Sequence, residues 1–164
     1  MLKIKELIKL IPKAFKPWEG GSNYDRDIDA RSKYVNYINK EKEPVDLVIS
    51  LHFNSVPSTL DPDKHGRGAE IWYYKHNDTA KNIAQNILNY TIKYTGVENR
   101  GLKQADDQYS IIYRVLPPSL IWEGAFYDDK GDRKKFLKDP DYYKEAAIAI
   151  YDGIIQSKKE KLLS

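Results

Sequence analysis

The sequence predicts an α/β domain, because short apolar runs typical of strands alternate along the chain with segments of helical periodicity. The chain has 164 residues, close to the usual length of one domain. Of these residues 41% are hydrophobic and 31% are charged, a composition that excludes a disordered or fibrous chain. Neither an internal repeat nor a low-complexity tract interrupts the pattern, so we predict a single domain over residues 1–164.

The charge and the cysteine content exclude several classes of function. The 27 Lys and Arg residues outnumber the 24 Asp and Glu residues only slightly, unlike the clustered basic excess of a nucleic-acid-binding domain. No apolar run reaches the roughly 18 residues of a transmembrane helix, and the first residues do not resemble a secretory signal. We therefore expect neither a nucleic acid nor a membrane as partner. The chain has no cysteine, so a metal site would need His, Asp or Glu ligands.

The first half of the chain predicts two helices and two strands. Apolar residues at helical spacing predict a helix over residues 2–15, and a turn-rich connector over 16–26 leads to a second helix over about 28–40. The nearly continuous apolar run at 46–53 predicts a strand buried on both faces. After a loop rich in Pro, Asp and Gly, residues 69–74 predict the next strand.

The second half predicts further elements of both kinds. A helix is expected from Asn77 or Asp78 to about Tyr94, because Gly96 then lies where a left-handed cap is favoured. The remaining segments are predicted as a polar loop over 99–109, strands over 110–115 and 119–123, and a final helix over about 140–157.

Two polar side chains at predicted strand ends are candidates for chemistry. His52 closes D-L-V-I-S-L-H, and Glu123 closes S-L-I-W-E. Ligands of open α/β sheets bind beyond the carboxyl ends of strands, where a histidine could hold a metal and a carboxylate could act as a general base. The pattern alone leaves a structural alternative open, in which His52 caps a strand and Glu123 pairs with a lysine.

Five segments occur in an order that matches one known family. They are Arg31 with Asn36, D-L-V-I-S-L-H-F-N-S at 46–55, G-A-E-I-W-Y-Y at 68–74, N-R-G-L-K at 99–103 and P-P-S-L-I-W-E-G-A-F at 117–126. Together they resemble the motifs of zinc-dependent N-acetylmuramoyl-L-alanine amidases of the amidase-3 type. The resemblance covers about residues 28–155, and residues 1–27 form an atypical N-terminal helix and connector.

The resemblance implies a three-layer fold, with a mixed and mostly parallel sheet flanked by helices, and a peptidoglycan hydrolase. Such an enzyme cleaves the amide between N-acetylmuramic acid and the L-alanine of the stem peptide by a zinc-bound water, and acts on the cell wall outside the cytoplasm. At the positions that match the family motifs, the resemblance implies that His52 is a zinc ligand and that Glu123 is the general base. Asn54 and Arg100 are implied to bind substrate, Arg100 through an acidic carboxylate of the stem peptide. The implied partners are the stem peptide and the glycan.

The N-terminal part departs from the family pattern. The family's first strand ends in D-x-G-H-G-G, which supplies a zinc histidine, and a glutamate ligand follows. Here K-P-W-E-G-G at 16–21 places Glu19 at the histidine position, and His65 follows the His52 strand in a loop. We therefore expect weak or absent zinc binding unless Glu19 or His65 replaces a ligand. The chain is then either N-terminally truncated or zinc-depleted.

Two other functions remain open from the sequence. A non-catalytic amidase-like domain would bind peptidoglycan or a partner through the same cleft, because two ligands hold zinc poorly. A basic adaptor that binds an anionic wall polymer or nucleic acid would lose binding steeply with salt.

Overall fold

A computed structural model describes residues 23–56, 66–107 and 109–164, with side chains from residue 29 onward. The predicted helix over 2–15 lies outside the described residues. In chain order the elements are α1 (Asn23–Glu41), β1 (Val48–Asn54), β2 (Ala69–Tyr74), α2 (Asp78–Thr95), β3 (Asn99–Ala105), α3 (Ser110–Tyr113), β4 (Ser119–Phe126), α4 (Lys130–Lys138) and α5 (Tyr142–Lys159). None of the helices described is long and apolar enough to cross a membrane.

The strands form one mixed sheet between two layers of helices. Their order is β1-β4-β2-β3, with β1 parallel to β4, β2 parallel to β3, and β2 antiparallel to β4. On one face Ile71 of β2 packs with Ile83 of α2 and Ala146 of α5. On the other face Ile121 of β4 packs with Ile112 of α3. The predicted three-layer α/β fold with a mostly parallel sheet is therefore confirmed.

Helix α2 forms as the sequence predicts. The Asn77 side chain accepts a hydrogen bond from the backbone N–H of Ala80 at 2.9 Å, which satisfies one free donor of the first turn. At the other end Gly96 adopts the left-handed conformation with φ of 59°, where a side chain would be strained. Ile83 and Ile87 on the inner stripe are fully buried.

Two predictions for the second half are wrong. The supposed polar loop over 99–109 contains strand β3, which pairs in parallel with β2. Its polar residues carry no strand pattern because β3 is the edge of the described sheet and is only partly buried. The supposed strand over 110–115 is the one-turn helix α3, because so short an apolar run does not distinguish a strand from a helix.

Several boundaries also differ from the prediction. Helix α1 begins at Asn23, so residues 23–26 of the predicted connector are helical. Strand β4 continues beyond Glu123 to Phe126, and α4 was not predicted. Its charged sequence lacks a broad apolar stripe, and mainly Phe136 anchors it in the core.

The prediction that strand β1 is buried on both faces is wrong. Among the described strands it pairs only with β4 and lies at the edge of the sheet. Leu51 is consequently 62% exposed, although its neighbour Phe53 stacks on Phe136 with ring centroids 4.5 Å apart. An apolar run thus marks a strand correctly without revealing its position in the sheet.

Candidate active site

Strand register brings His52, Glu123 and Glu70 into one row across β1, β4 and β2. His52 pairs with Glu123 in the parallel ladder, and Glu123 pairs with Glu70 in the antiparallel ladder. Register partners project to the same face of a sheet, so all three side chains lie on the face that carries α3. His52 and Glu123 therefore lie on neighbouring strands with their side chains on the same face of the sheet.

Neither His52 nor Glu123 ends its strand, in contrast to the prediction. Strand β1 runs on to Asn54 and β4 to Phe126, and their register shifts between His52 and Asn54. Such an irregularity lets one strand bend and redirects the side chains beside it. The polar row therefore begins at the point where the two strands stop pairing regularly.

Glu123 carries an unpaired carboxylate oxygen. Its Oε2 atom is buried and has no hydrogen-bond partner in the described part of the chain. Burial, followed by the negative charge of Glu70, raises the pKa of Glu123 to about 7. A buried carboxylate oxygen without a partner is rare, and a carboxyl group with a pKa near neutrality is suited to general acid–base chemistry.

His52 is held as a neutral ring beside Glu123. Its Nε2 atom lies 2.7 Å from the hydroxyl oxygen of Ser50 in a hydrogen bond. Partial burial, followed by the positive charge of Arg31, lowers the pKa of His52. The lowered pKa favours the uncharged imidazole, the state in which a histidine can bind a metal.

Glu70 is a site residue that the sequence analysis missed. Its carboxylate is almost completely buried, and it accepts hydrogen bonds from Asn54 Nδ2 at 2.9 Å and Trp72 Nε1 at 3.0 Å on one oxygen. The other oxygen accepts from Arg100 Nε at 2.8 Å. A glutamate inside the apolar strand A-E-I-W-Y-Y was the available signal, because a buried charge is retained only when it is paired.

The two residues predicted to bind substrate meet at this glutamate. Asn54 donates to Glu70, and its Oδ1 accepts from the backbone N–H of Ser55 at 2.8 Å. Arg100 has its guanidinium carbon 4.7 Å from the centre of the Phe126 ring, and 33% of its side chain is exposed. Their roles toward a substrate stay predictions, but both side chains belong to the same cluster as Glu123.

The described residues fit only part of a zinc site. Within residues 23–56, 66–107 and 109–164, no group of three His, Cys, Asp or Glu side chains could hold a metal ion. His52 supplies one imidazole, whereas His76 packs edge-on against Tyr74 at 5.3 Å, away from the polar row. The alternative ligands Glu19 and His65 lie outside the described residues. A catalytic zinc normally has three protein ligands, of which the described residues supply His52.

A family model described as N-acetylmuramoyl-L-alanine amidase matches residues 16–156. The matched range includes every member of the polar row. No curated protein matches this chain in sequence.

Solved structures of amidases have the same fold. An N-acetylmuramoyl-L-alanine amidase from Clostridium difficile 630 has a TM-score of 0.70 at 20% identity, covering 82% of this chain and 66% of its own. The CwlD amidase from Clostridioides difficile, solved in complex with the GerS lipoprotein, has a TM-score of 0.66 at 22% identity. The match covers 88% of this chain and 69% of the CwlD chain. The catalytic domain of the CD27L endolysin, which targets Clostridia difficile, has a TM-score of 0.63 at 23% identity, covering 86% and 68%. This chain thus spans about two thirds of their length.

Proposed function

Because this chain belongs to the N-acetylmuramoyl-L-alanine amidase family, we propose that it hydrolyses the amide between N-acetylmuramic acid and the L-alanine of the stem peptide. Its partners are then the stem peptide and glycan of peptidoglycan, and it acts on the cell wall. The observation that carries the proposal is the buried, unpaired carboxylate oxygen of Glu123 in register with His52.

Glu123 acts as the general base in this proposal. It takes a proton from the attacking water, whose oxygen bonds to the carbonyl carbon of the amide. The carbon–nitrogen bond then breaks, and Glu123 passes the proton to the leaving amine of L-alanine. The products are a free stem peptide and a carboxylic acid on the muramic acid, which releases its proton to solvent. A pKa of about 7 suits both steps, because the same group must accept and release the proton near neutral pH.

Zinc dependence is the norm in this family, and His52 is the described residue that would hold the ion. Zinc, when bound, supplies Lewis acidity to the carbonyl and the water. The lowered pKa of His52 favours the neutral imidazole that such a role requires. Ser50 hydrogen-bonds Nε2 of His52 in this structure, so ligation through Nε2 would replace that bond.

The remaining site residues bind and orient the substrate. The exposed edge of Arg100 can meet an acidic carboxylate of the stem peptide, because a guanidinium fork binds carboxylates with two hydrogen bonds. Asn54 is held at both ends of its amide by Glu70 and Ser55. It therefore orients Glu70 and, through Glu70, the guanidinium group that meets the substrate.

A non-catalytic domain that binds peptidoglycan or a partner is the second candidate. It is favoured by the absence of a three-ligand metal group among the residues that the structure describes. The two functions differ in metal content and in product. Metal analysis of the purified chain and release of stem peptides from peptidoglycan therefore separate them.

The decisive experiment compares three variants on purified peptidoglycan. Glu123→Gln should keep the shape of the cleft and lose roughly 10²–10⁴-fold in rate, the usual worth of a general base. His52→Ala should lose bound zinc and activity together. Glu98→Gln, on an exposed loop, is the matched control and should resemble the wild type. Full activity in Glu123→Gln would contradict the mechanism, and an inactive but peptidoglycan-binding wild type would favour the second candidate.

A further inference from the structure

We propose that Glu70 is a positioning residue, which orients Arg100 to recognise a free carboxylate on the stem peptide. This inference rests on the amidase function proposed above. It concerns a residue that acts on the substrate through Arg100.

Arg100 is restrained on two sides and open on a third. Its Nε donates to Glu70 Oε2 at 2.8 Å, and the Phe126 ring covers one face of the guanidinium at 4.7 Å. Among the described residues its two terminal nitrogens have no hydrogen-bond partner, and 33% of the side chain is exposed. Two contacts on the inner side thus fix the plane of the group, while the outer edge keeps the paired donors that a carboxylate needs.

Glu70 is itself held rigidly. Its second oxygen accepts from Asn54 on β1 and from Trp72 on β2, and its side chain is 3% exposed. Since Arg100 lies on β3, this carboxylate joins three strands on the face where Glu123 projects from the fourth. A carboxylate whose other oxygen is held by two donors cannot rotate to follow a mobile arginine, so it sets where the arginine points.

The spacing of the strands identifies which part of the substrate Arg100 would meet. Arg100 lies on β3 and Glu123 on β4, with β2 between them. Adjacent strands are about 4.8 Å apart, and because the Arg100 guanidinium reaches back to Glu70 on β2 it lies roughly 5–10 Å from the position of Glu123. An extended peptide covers about 3.3 Å per residue. With the scissile amide at Glu123, the recognised carboxylate belongs to a residue one or two positions after the L-alanine.

The experiment uses two muropeptides that differ only in whether the carboxylate of the second stem residue is free or amidated. We expect the wild type to have a KM roughly tenfold lower for the free acid, the worth of a hydrogen bond between charged groups. Both Glu70→Gln and Arg100→Gln should reduce this preference, taken as the ratio of the two KM values of each variant, to near one. The double variant should lose no more of the KM preference than Arg100→Gln alone, because the effects of substitutions at two coupled residues are not additive.

Two controls separate positioning from stability. Glu98→Gln should keep the preference, and Glu70→Asp, which withdraws the carboxylate by one methylene, should weaken it even if Glu70→Gln does not fold. If the Glu70 variants keep the tenfold KM preference for the free acid, whatever happens to their kcat or thermal stability, the positioning role is wrong.

A binding measurement separates this inference from the amidase function. The isolated stem peptide, free or amidated at the same carboxylate, is titrated into the wild type and Glu70→Gln without catalysis. Tighter binding of the free acid that Glu70→Gln abolishes supports the positioning role even if neither muropeptide is cleaved. Cleavage of both muropeptides with equal KM, and equal binding of the two peptides, would leave the amidase function standing and overturn the role of Glu70.

Discussion

Replacing Glu123 by glutamine should stabilise the folded protein at alkaline pH. The pKa of this carboxyl group rises from the ordinary 4.5 to about 7 on folding, so the folded state binds more protons than the unfolded state between these values. The free energy of unfolding of the wild type therefore falls as the pH rises from 4.5 to 7. Glutamine has the same shape as glutamate but carries no charge. Position 123 should therefore cause no change with pH in the free energy of unfolding of the variant over this range.

The size of the effect follows from the same shift. At 1.36 kcal/mol per pKa unit, the rise in the pKa of Glu123 limits the difference in the free energy of unfolding to about 3 kcal/mol. Because part of the Glu123 side chain faces solvent, we expect about 1–2 kcal/mol after screening.

The assay is urea denaturation followed by tryptophan fluorescence, with a chelator present, at pH 8 and near pH 4.5. Glu123→Gln should be more stable than the wild type at pH 8, and the difference should nearly vanish near pH 4.5. Glu98→Gln serves as the exposed control. A wild type as stable as Glu123→Gln at pH 8, or an equal difference at both pH values, would refute the reasoning.

Three further predictions concern the reaction and the core. The kcat/KM of stem-peptide release should rise with pH around an apparent pKa of about 7, set by Glu123; a rise completed below pH 6 would contradict its role as base. Gly153→Ala should cost about 1–3 kcal/mol in urea denaturation, because the new Cβ would lie 2.6 Å from the Ile87 Cα atom. Asp132→Ala should cost about 2–4 kcal/mol, since Asp132 accepts the buried backbone N–H groups of Gly68 and Phe126 at 2.7 and 3.0 Å; unfolding midpoints equal to the wild type would contradict either core prediction.

The sequence by itself determined the features that depend on neighbours along the chain. The cap at Asn77, the left-handed Gly96 and the apolar stripe between them predict α2 to within a residue. The β-branched and aromatic run at 69–74 predicts β2 with its observed bounds. His52 and Glu123 could be selected as candidates because each is a polar residue attached to an apolar strand. These signals are local, so no tertiary contact is needed to detect them.

Only the tertiary structure decided which distant residues meet. Residues 99–105 become a strand because β2 offers them a hydrogen-bonding edge, although their own side chains favour a loop. Glu70 becomes part of the site because the antiparallel pairing of β2 with β4 places it beside Glu123. That pairing also lets Asn54 and Arg100 reach one carboxylate from opposite sides. Register and strand order depend on contacts far apart in the chain, and a one-residue slip would turn Glu70 to the opposite face.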